Sequence, residues 1–400
     1  MTRVAIVVQR CHESVVGGSE ALAWQYARML SARHEVEVLT STATEHVLWS
    51  STLPPGAEQR EGIVIRRFPI ALGRTPYWEA LYRRLIDDEA AIRADGNHWR
   101  EALQDEFIRC QGPHCPDLHA WLQVRASDYD AVVFCTYLYS TTYFGIRAVA
   151  PEKAILVPTL HDEAAACLSV FSRLYARYRR RIWLTHAERR IASRLWGCDA
   201  GSVLGMAVDT EPVAPERRDR PYLLYCGRIE AGKGCDELLS AFERLPVRGR
   251  TSLVLTGADH LGLPRSPDIE FLGFVDDARK RALMAGASAF VLPSRFESFS
   301  IVALEAMAQG TPVLVNGQSE VMVDHIERSG GGLHYDSQDD MVLKMERLCM
   351  LDTDARARIG SAGRDYVLAN YGEERIRAQL EAIVGQAISA GSVERTGSGP

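Results

Sequence analysis

The sequence predicts an α/β protein with two domains, each built around a parallel β-sheet. A short β-branched run at residues 4–9 is followed by an amphipathic helical pattern at 21–32 and a second strand at 36–40. The same alternation restarts at residues 222–226, after a segment at 201–210 that is typical of a crossing between domains. A length of 400 residues agrees with two or three domains.

Composition and charge argue against several classes of protein. A net charge of −6 disfavours generic nucleic-acid binding, and no apolar run reaches the length of a membrane-spanning helix. The nine cysteines show no paired metal-ligand spacing, since the best candidate, Cys110 and Cys115 with His114 and His119, lacks a second close pair. We therefore expect a cytoplasmic protein with reduced thiols, no metal and no cofactor.

The most informative stretch, residues 290–316, predicts a strand, a helix and a further strand. A polar turn opens the helix, and Gly310 with Pro312 closes it. Glu297 and Glu305 lie eight residues apart, which corresponds to about 12 Å along a helix axis. A glycosidase pair of carboxylates needs roughly 5–9.5 Å. The two acids are therefore better placed to bind opposite ends of one elongated ligand.

The first turn of this helix adds a second feature. The backbone N–H groups around Phe299, Ser300 and Ile301 have no acceptor inside the helix. Together with the helix dipole they favour an anion or a sugar oxygen.

These residues resemble the donor-site signature of retaining GT-B glycosyltransferases of family GT4, also called glycosyl transferases group 1. The shared pattern is two glutamates eight residues apart with a Phe between them, followed by Ala-Met-Ala-x-Gly-x-Pro-Val. The resemblance implies that Glu297 contacts hydroxyls of the transferred sugar, that Glu305 binds the ribose, and that the backbone from Phe299 to Ile301 meets sugar and phosphate. The family usually has Gly where this chain has Ser300, so no sugar identity follows.

A second motif follows the strand at 222–226. Gly227 to Lys233 matches the P-loop pattern Gly-x4-Gly-Lys, but the next residue is Gly234 instead of the Ser or Thr that ligates Mg²⁺. The same residues read as Gly-Arg-x4-Lys-Gly, which is similar to the GT4 diphosphate site. On that reading Arg228 and Lys233 neutralise the leaving diphosphate, and no metal is required. A P-loop-like nucleotide-binding protein stays open as an alternative.

The resemblance implies roles for a few further residues at the carboxyl ends of strands. Glycines after the first strand approach the donor diphosphate or the acceptor, a histidine points at the transferred sugar, and one turn lies against the nucleobase. These residues are Gly17 and Gly18, then His161, then Gly273, Phe274 and Val275.

Two segments of the N-terminal half depart from a plain Rossmann pattern. Residues 74–123 show aromatic residues at helical spacing, which indicates a helical insertion that either packs against the domain or binds the acceptor. The segment from Arg173 to Arg194 carries eight arginines against one acid, Glu188. It is either a solvated helix face or a contact with an anionic membrane or lipid-diphosphate acceptor.

The fold class expected from this resemblance is GT-B, with two doubly wound Rossmann-like parallel-sheet domains that face a central cleft. We expect an acceptor-side domain at 1–200, a nucleotide-sugar donor domain at 201–370, a helix at about 371–389 that joins the first domain, and a disordered tail at 390–400.

The implied activity is metal-independent, retaining transfer of a sugar from a UDP- or GDP-sugar to a glycan or lipid-linked acceptor, in cell-surface polysaccharide or glycoconjugate assembly. A GT-B enzyme with another reaction, such as nucleotide-sugar epimerisation, is the remaining alternative.

Overall fold

The computed structural model describes residues 2–15, 17–263 and 266–397, with side chains to residue 391. The chain divides into two compact units. The first contains the residues up to Met206 and those from Ile376 onward, and the second is Ala207–Arg375. Both are α/β units with a parallel sheet, which confirms the predicted fold class.

The first unit is a six-stranded sheet with helices on it. Its strands are β1 (Arg3–Val7), β2 (Glu35–Ser41), β3 (Gly56–Arg60), β4 (Ile63–Phe68), β5 (Ala131–Cys135) and β6 (Ala154–Val157). Their order is β3-β4-β2-β1-β5-β6, and every pairing is parallel except the β3–β4 hairpin. A short parallel pair, β7 (Ile182–Trp183) and β8 (Ser202–Val203), follows.

The helices of the first unit include three consecutive ones in the predicted insertion. They are α1 (Gly18–Ser31), α2 (Pro76–Asp95), α3 (Glu101–Gln111), α4 (Pro116–Arg125), α5 (Ser140–Gly145), α6 (Ser169–Tyr175) and α7 (His186–Trp196). Helix α2 begins where the sequence encodes a start, because the Thr75 hydroxyl accepts the Trp78 N–H and Pro76 occupies the first helical position.

The second unit is an all-parallel sheet. Its strands are β9 (Tyr222–Cys226), β10 (Ser252–Thr256), β11 (Ile269–Phe271), β12 (Ala289–Leu292), β13 (Val313–Asn316) and β14 (Gly332–Tyr335). Its helices are α8 (Cys235–Glu243), α9 (Asp277–Gly286), α10 (Ile301–Ala308), α11 (Glu320–Ser329), α12 (Gln338–Cys349) and α13 (Thr353–Tyr371). The central strands are fully buried, as expected for a sheet covered on both faces.

Strand order locates the ligand crevice of the second unit. The order β11-β10-β9-β12-β13-β14 is the Rossmann order, with the reversal between β9 and β12. Ligands of such sheets bind outside the carboxyl ends of the strands at this point. In the first unit the corresponding reversal lies between β1 and β5.

The last helix, α14 (Glu373–Gly397), runs eight residues further than the predicted bound at 389. Its Glu381 side chain lies 3.0 Å from His34 Nε2 in the first unit. The tail at 390–400 was expected to be disordered, but its backbone is helical up to residue 397. The sequence there has no Pro before residue 400 that would stop the helix. Residues 398–400 lie outside the described part of the chain.

The arginine-rich segment is not one continuous helix. It is divided between α6 and α7 by a stretch that contains β7, and Arg181 is buried there with its guanidinium on the Tyr175 and Ala200 carbonyls. The lopsided charge thus reflects in part a buried arginine that satisfies backbone oxygens, and not a uniform basic face. Within the described residues, no helix is long and apolar enough to span a membrane.

Candidate active site

The two predicted donor motifs meet at the strand-order reversal of the second unit. The loop after β9 contacts the loop after β12 so closely that a Cβ on Gly234 would lie 2.7 Å from the Pro293 carbonyl oxygen. Gly234 also has φ +71°, a conformation that side chains disfavour. There is consequently no room for the Ser or Thr of a P-loop at this position.

An ion pair joins the two motifs. Lys233 Nζ lies 2.9 Å from Glu297 Oε1, and the Glu297 side chain is only 13% exposed. The residues are 64 positions apart, so the contact is a product of the fold. It places one cation and one carboxylate side by side at the carboxyl edge of the sheet, where ligands of such sheets bind.

Arg228 lies in the same loop. Its Nη1 atom is 3.1 Å from Glu230 Oε1, and its backbone carbonyl accepts the hydroxyl hydrogen of Tyr225. The side chain is half-exposed. The loop therefore presents two cations, Arg228 and Lys233, each held by a carboxylate of its own.

Glu305 has a partner that the sequence did not reveal. Lys280 Nζ lies 2.9 Å from Glu305 Oε1 and 2.8 Å from Oε2. Burial raises the pKa of the Glu305 carboxyl, and the Lys280 charge opposes that rise. Both charges also act on the pKa of the Cys226 thiol, which burial raises to about 12, so the pair lies near the end of β9.

A signal for Lys280 was present but was overlooked. Lys280 precedes the buried Leu283 and Met284 by three and four positions, so it lies on the apolar face of α9. A lysine on a buried face needs a carboxylate partner, and Glu305 supplies it.

Helix α10 opens with an unusual residue. Ser300, its N-cap, has φ +59° and is 8% exposed, and its hydroxyl has no hydrogen-bond partner among the described residues. Residues other than Gly seldom adopt this left-handed backbone conformation, and Gly is the usual residue there. The backbone thus adopts the turn that Gly would permit, although the residue is Ser.

A buried histidine supports this turn. His325 Nε2 lies 3.2 Å from the Phe299 carbonyl oxygen, and its Nδ1 lies 2.9 Å from the Tyr366 hydroxyl. Burial lowers the pKa of His325 to about 4, so the ring is neutral at pH 7 and donates from one nitrogen while it accepts at the other. The sequence reasoning missed this residue because its partners are 26 and 41 positions away.

The turn assigned to the nucleobase lies beside the first donor loop. The Gly273 carbonyl accepts the Gly257 N–H at 2.8 Å, and Gly257 approaches Gly227 so closely that a Cβ would meet its oxygen at 2.0 Å. Phe274 is 74% exposed at this turn. An exposed aromatic ring next to the strand ends is available for stacking. Val275 follows it at the start of the connection to α9.

In the first unit, His161 lies just past β6, as predicted. Its Nδ1 atom is 3.6 Å from Glu163 Oε1, and Glu163 also accepts the hydroxyl hydrogen of Tyr137. Between them, Asp162 is held by Arg93 of α2 at 2.7 Å and by Arg194 of α7 at 2.6 Å.

The base of this loop is held by Glu188, which the sequence singled out only as the lone acid among arginines. Its carboxylate accepts the backbone N–H groups of Leu160 and Leu184, and it is fully buried. Burial raises the pKa of Glu188 to about 7. The carboxylate fixes the segment from which His161 projects.

Gly17 and Gly18 open α1 in the first unit, next to a buried ion pair. Arg10 Nη2 lies 2.6 Å from Glu20 Oε1, and a Cβ on Gly17 would lie 2.1 Å from Glu20 Oε2. A side chain at Gly17 would therefore displace this carboxylate from its present position. The start of α1 therefore carries the Glu20 carboxylate, which is already paired with Arg10.

No group of three or more His, Cys, Asp and Glu side chains suited to a metal ion occurs in the described ranges. The histidines of the Cys110–Cys115 region bond to Ser140 instead: His114 Nδ1 lies 2.7 Å from its hydroxyl and His119 Nε2 lies 3.1 Å from its carbonyl oxygen.

Comparison with known proteins agrees with this geometry. Residues 209–366, most of the second unit, match the family described as "Glycosyl transferases group 1". Over these residues the chain is similar to the group 1 glycosyltransferases. This glycosyltransferase is 26% identical to D-inositol 3-phosphate glycosyltransferase of Xylanimonas cellulosilytica, over 93% of this chain and 92% of the relative.

Other relatives match more locally or less completely. The glycosyltransferase is 29% identical to phosphatidyl-myo-inositol mannosyltransferase of Mycobacterium leprae, over 76% of this chain and 75% of that protein. A match of 36% to an uncharacterized glycosyltransferase of Methanocaldococcus jannaschii covers 26% of this chain and 29% of that relative.

Solved structures share the fold of this glycosyltransferase. Sucrose-phosphate synthase from Thermosynechococcus elongatus superposes with a TM-score of 0.69 at 17% identity, over 98% of this chain and all of that chain. Anabaena HepE in complex with UDP and glucose superposes with a TM-score of 0.68 at 14% identity, over 96% and 100%. These neighbours confirm the GT-B fold.

The close approach of the two donor loops predicts a sharp glycine requirement. Gly234→Ala should lower the free energy of unfolding by roughly 2 kcal/mol, because the new Cβ is disfavoured at positive φ and meets the Pro293 oxygen. Gly232→Ala in the same loop is the control, since its Cβ would meet nothing closer than 4.0 Å. Urea unfolding of both variants checks this, and equal effects would contradict it.

The neutral state of His325 predicts a specific acid sensitivity. Its pKa lies below the unfolded value of about 6.5, so its contribution to stability is present above pH 6.5 and is lost as pH falls toward 4. Relative to His325→Gln, the wild-type protein should lose about 1.4 kcal/mol per pH unit in that window. Urea unfolding from pH 4.5 to 7.5 measures it. His260→Gln, at an exposed position, should follow the wild type, and a parallel curve for His325→Gln would refute the assignment.

Proposed function

We propose that this protein is a retaining glycosyltransferase that moves a sugar from a nucleoside-diphosphate sugar to a hydroxyl of a glycan or glycolipid acceptor, without a metal. The observation that carries the proposal is the Lys233–Glu297 ion pair at the strand-order reversal of the second unit. It brings a phosphate-binding cation and a hydroxyl-binding carboxylate together where one donor molecule would need both.

Each part of the donor has a matching group in this proposal. The diphosphate binds Arg228, Lys233 and the N–H groups at the start of α10. The ribose hydroxyls bind Glu305, which the ion pair with Lys280 holds in place. The base lies against the turn at Gly273, with the exposed ring of Phe274 beside it.

The catalytic step is substitution on the face from which the diphosphate leaves. The acceptor hydroxyl attacks the anomeric carbon while the sugar–phosphate bond breaks, and a phosphate oxygen takes the hydroxyl proton. Glu297 orients the sugar through its hydroxyls. Arg228 and Lys233 stabilise the negative charge that develops on the leaving group, which is the main source of rate acceleration in such a site.

The relatives support a nucleotide-sugar donor, since the Anabaena structure contains UDP and glucose. Two of the relatives are named for inositol-containing compounds, one a cyclitol phosphate and one a phospholipid. We propose a UDP- or GDP-sugar donor and a cytoplasmic role in cell-surface glycoconjugate assembly.

The assignment of Arg228 and Lys233 to the diphosphate predicts that their removal lowers the turnover number. Arg228→Ala and Lys233→Ala should each lower kcat by about 100-fold with a smaller effect on donor KM, because the lost charge matters most as the leaving group forms. Arg250→Ala, at an exposed position of the second unit with no ion pair among the described residues, is the control. Release of nucleoside diphosphate measures turnover. Normal kcat in both variants would remove the diphosphate role.

The ribose assignment predicts binding. A nucleoside diphosphate at about 100 times its Kd should stabilise the protein by about 2.7 kcal/mol with EDTA present. Glu305→Gln should weaken that binding at least tenfold, whereas Glu243→Gln, exposed on α8, should not. Thermal shift with UDP and GDP checks both.

The same measurements separate the alternatives. Binding that requires Mg²⁺ would favour a P-loop-like protein over the transferase. Product analysis that finds an isomerised nucleotide sugar and no transfer would favour an epimerase.

A further inference from the structure

An arginine that forms no ion pair within the described part of the chain lies at the carboxyl edge of the first unit's sheet. Arg74 follows β4 and immediately precedes the N-cap of α2. Its Nε atom is buried without a hydrogen-bond partner, and no carboxylate forms an ion pair with it in the described ranges. Its guanidinium carbon lies 4.3 Å from the centre of the Trp78 ring. A half-buried cation in this state is costly unless an anion reaches it.

One acidic group near Arg74, Glu45, is engaged elsewhere. Glu45, whose charge acts on Arg74, accepts the backbone N–H groups of Val47 and Leu48. Burial lowers the pKa of Arg74, and Tyr139, Glu45, Tyr82 and Glu79 only partly oppose it. By contrast, the neighbouring Arg10 is fully paired with Glu20.

The Trp78 ring beside this guanidinium belongs to a group of aromatic side chains. Trp78 stacks on Tyr82 with ring centres 5.0 Å apart, and the Trp78 indole N–H is buried without a partner among the described residues. The backbone N–H of Arg74 donates to the Leu48 carbonyl oxygen. Trp49, which follows Leu48, contacts the Tyr139 ring edge-on with ring centres 5.2 Å apart. Tyr139 follows β5 at the strand-order reversal of this sheet, where ligands of α/β sheets bind.

We propose that Arg74 binds a phosphate group carried by the acceptor, while the Trp78–Tyr82 stack packs against its sugar or cyclitol ring. The proposal rests on the transferase function above and adds the acceptor's chemical class. A planar guanidinium offers two parallel N–H groups to a phosphate, and aromatic faces pack against the C–H face of a ring. The phosphate comes from a soluble sugar phosphate or from a lipid-linked acceptor, and exposed Leu48 and Tyr77 lie next to the site.

Matched pairs of ligands test the proposal. Ligand-detected NMR on the full chain with bound UDP would compare glucose 6-phosphate with glucose, myo-inositol 1-phosphate with myo-inositol, and phosphatidylinositol micelles with uncharged-detergent micelles. We expect at least tenfold tighter binding of one phosphate-bearing member than of its neutral partner. Arg74→Ala should abolish the difference and Arg74→Lys should restore part of it, whereas Arg83→Ala, exposed on α2, should leave it unchanged.

The same ligand pairs also distinguish a soluble phosphate from a lipid-linked one, and the acceptor proposal from the donor proposal. A preference confined to the micelles, and lowered by Leu48→Ser, assigns a lipid-linked phosphate, and a preference among the soluble pairs assigns a sugar phosphate. Equal binding of charged and neutral members, or a preference that survives in Arg74→Ala, overturns the inference. UDP and GDP binding in the same samples shows that each variant is folded, and its absence in the wild type would count against the donor proposal instead.

Discussion

The ion pair between Lys233 and Glu297 is the contact on which the second unit's site depends. The two residues belong to loops that leave β9 and β12, the strands on either side of the order reversal, so the pair spans the ligand crevice. It forms only because Gly234 lets one loop pass against the Pro293 carbonyl. Removal of either partner would leave a largely buried charge uncompensated, which costs more than the pair itself contributes.

The other charges of the site follow the same rule of internal pairing. Glu305 is held by Lys280, and Arg228 by Glu230. A ligand oxygen that replaces a carboxylate oxygen at such a cation exchanges one charge-assisted hydrogen bond for another. Binding therefore requires little new desolvation, and the geometry of the oxygens decides which ligand is accepted. Arg74 in the first unit differs because no carboxylate of the described residues forms an ion pair with it.

Local patterns predicted most of the fold, and long-range contacts account for what was missed. Glu297, Glu305 and Lys233 were identified because each lies at a fixed spacing in a strand–turn–helix segment, where the backbone alone dictates position. Lys280 and His325 act through residues more than twenty positions away, and such pairing leaves no local pattern in one sequence. The division of the arginine-rich segment into two helices, with Arg181 buried between them, was missed for the same reason, since composition does not reveal which arginine turns inward to backbone carbonyls.

The clamp on Asp162 has a consequence for how this chain could diverge. Its two oxygens form ion pairs with Arg93, in the inserted helices, and with Arg194, at the exposed end of α7, while the adjacent His161 lies in the same short loop. The inserted helices are thus linked to that loop by the Arg93–Asp162 ion pair. A chimera in which a shorter connection replaces α2 would lose the Arg93–Asp162 ion pair. A change made there to accommodate a new acceptor would therefore also alter the position of His161.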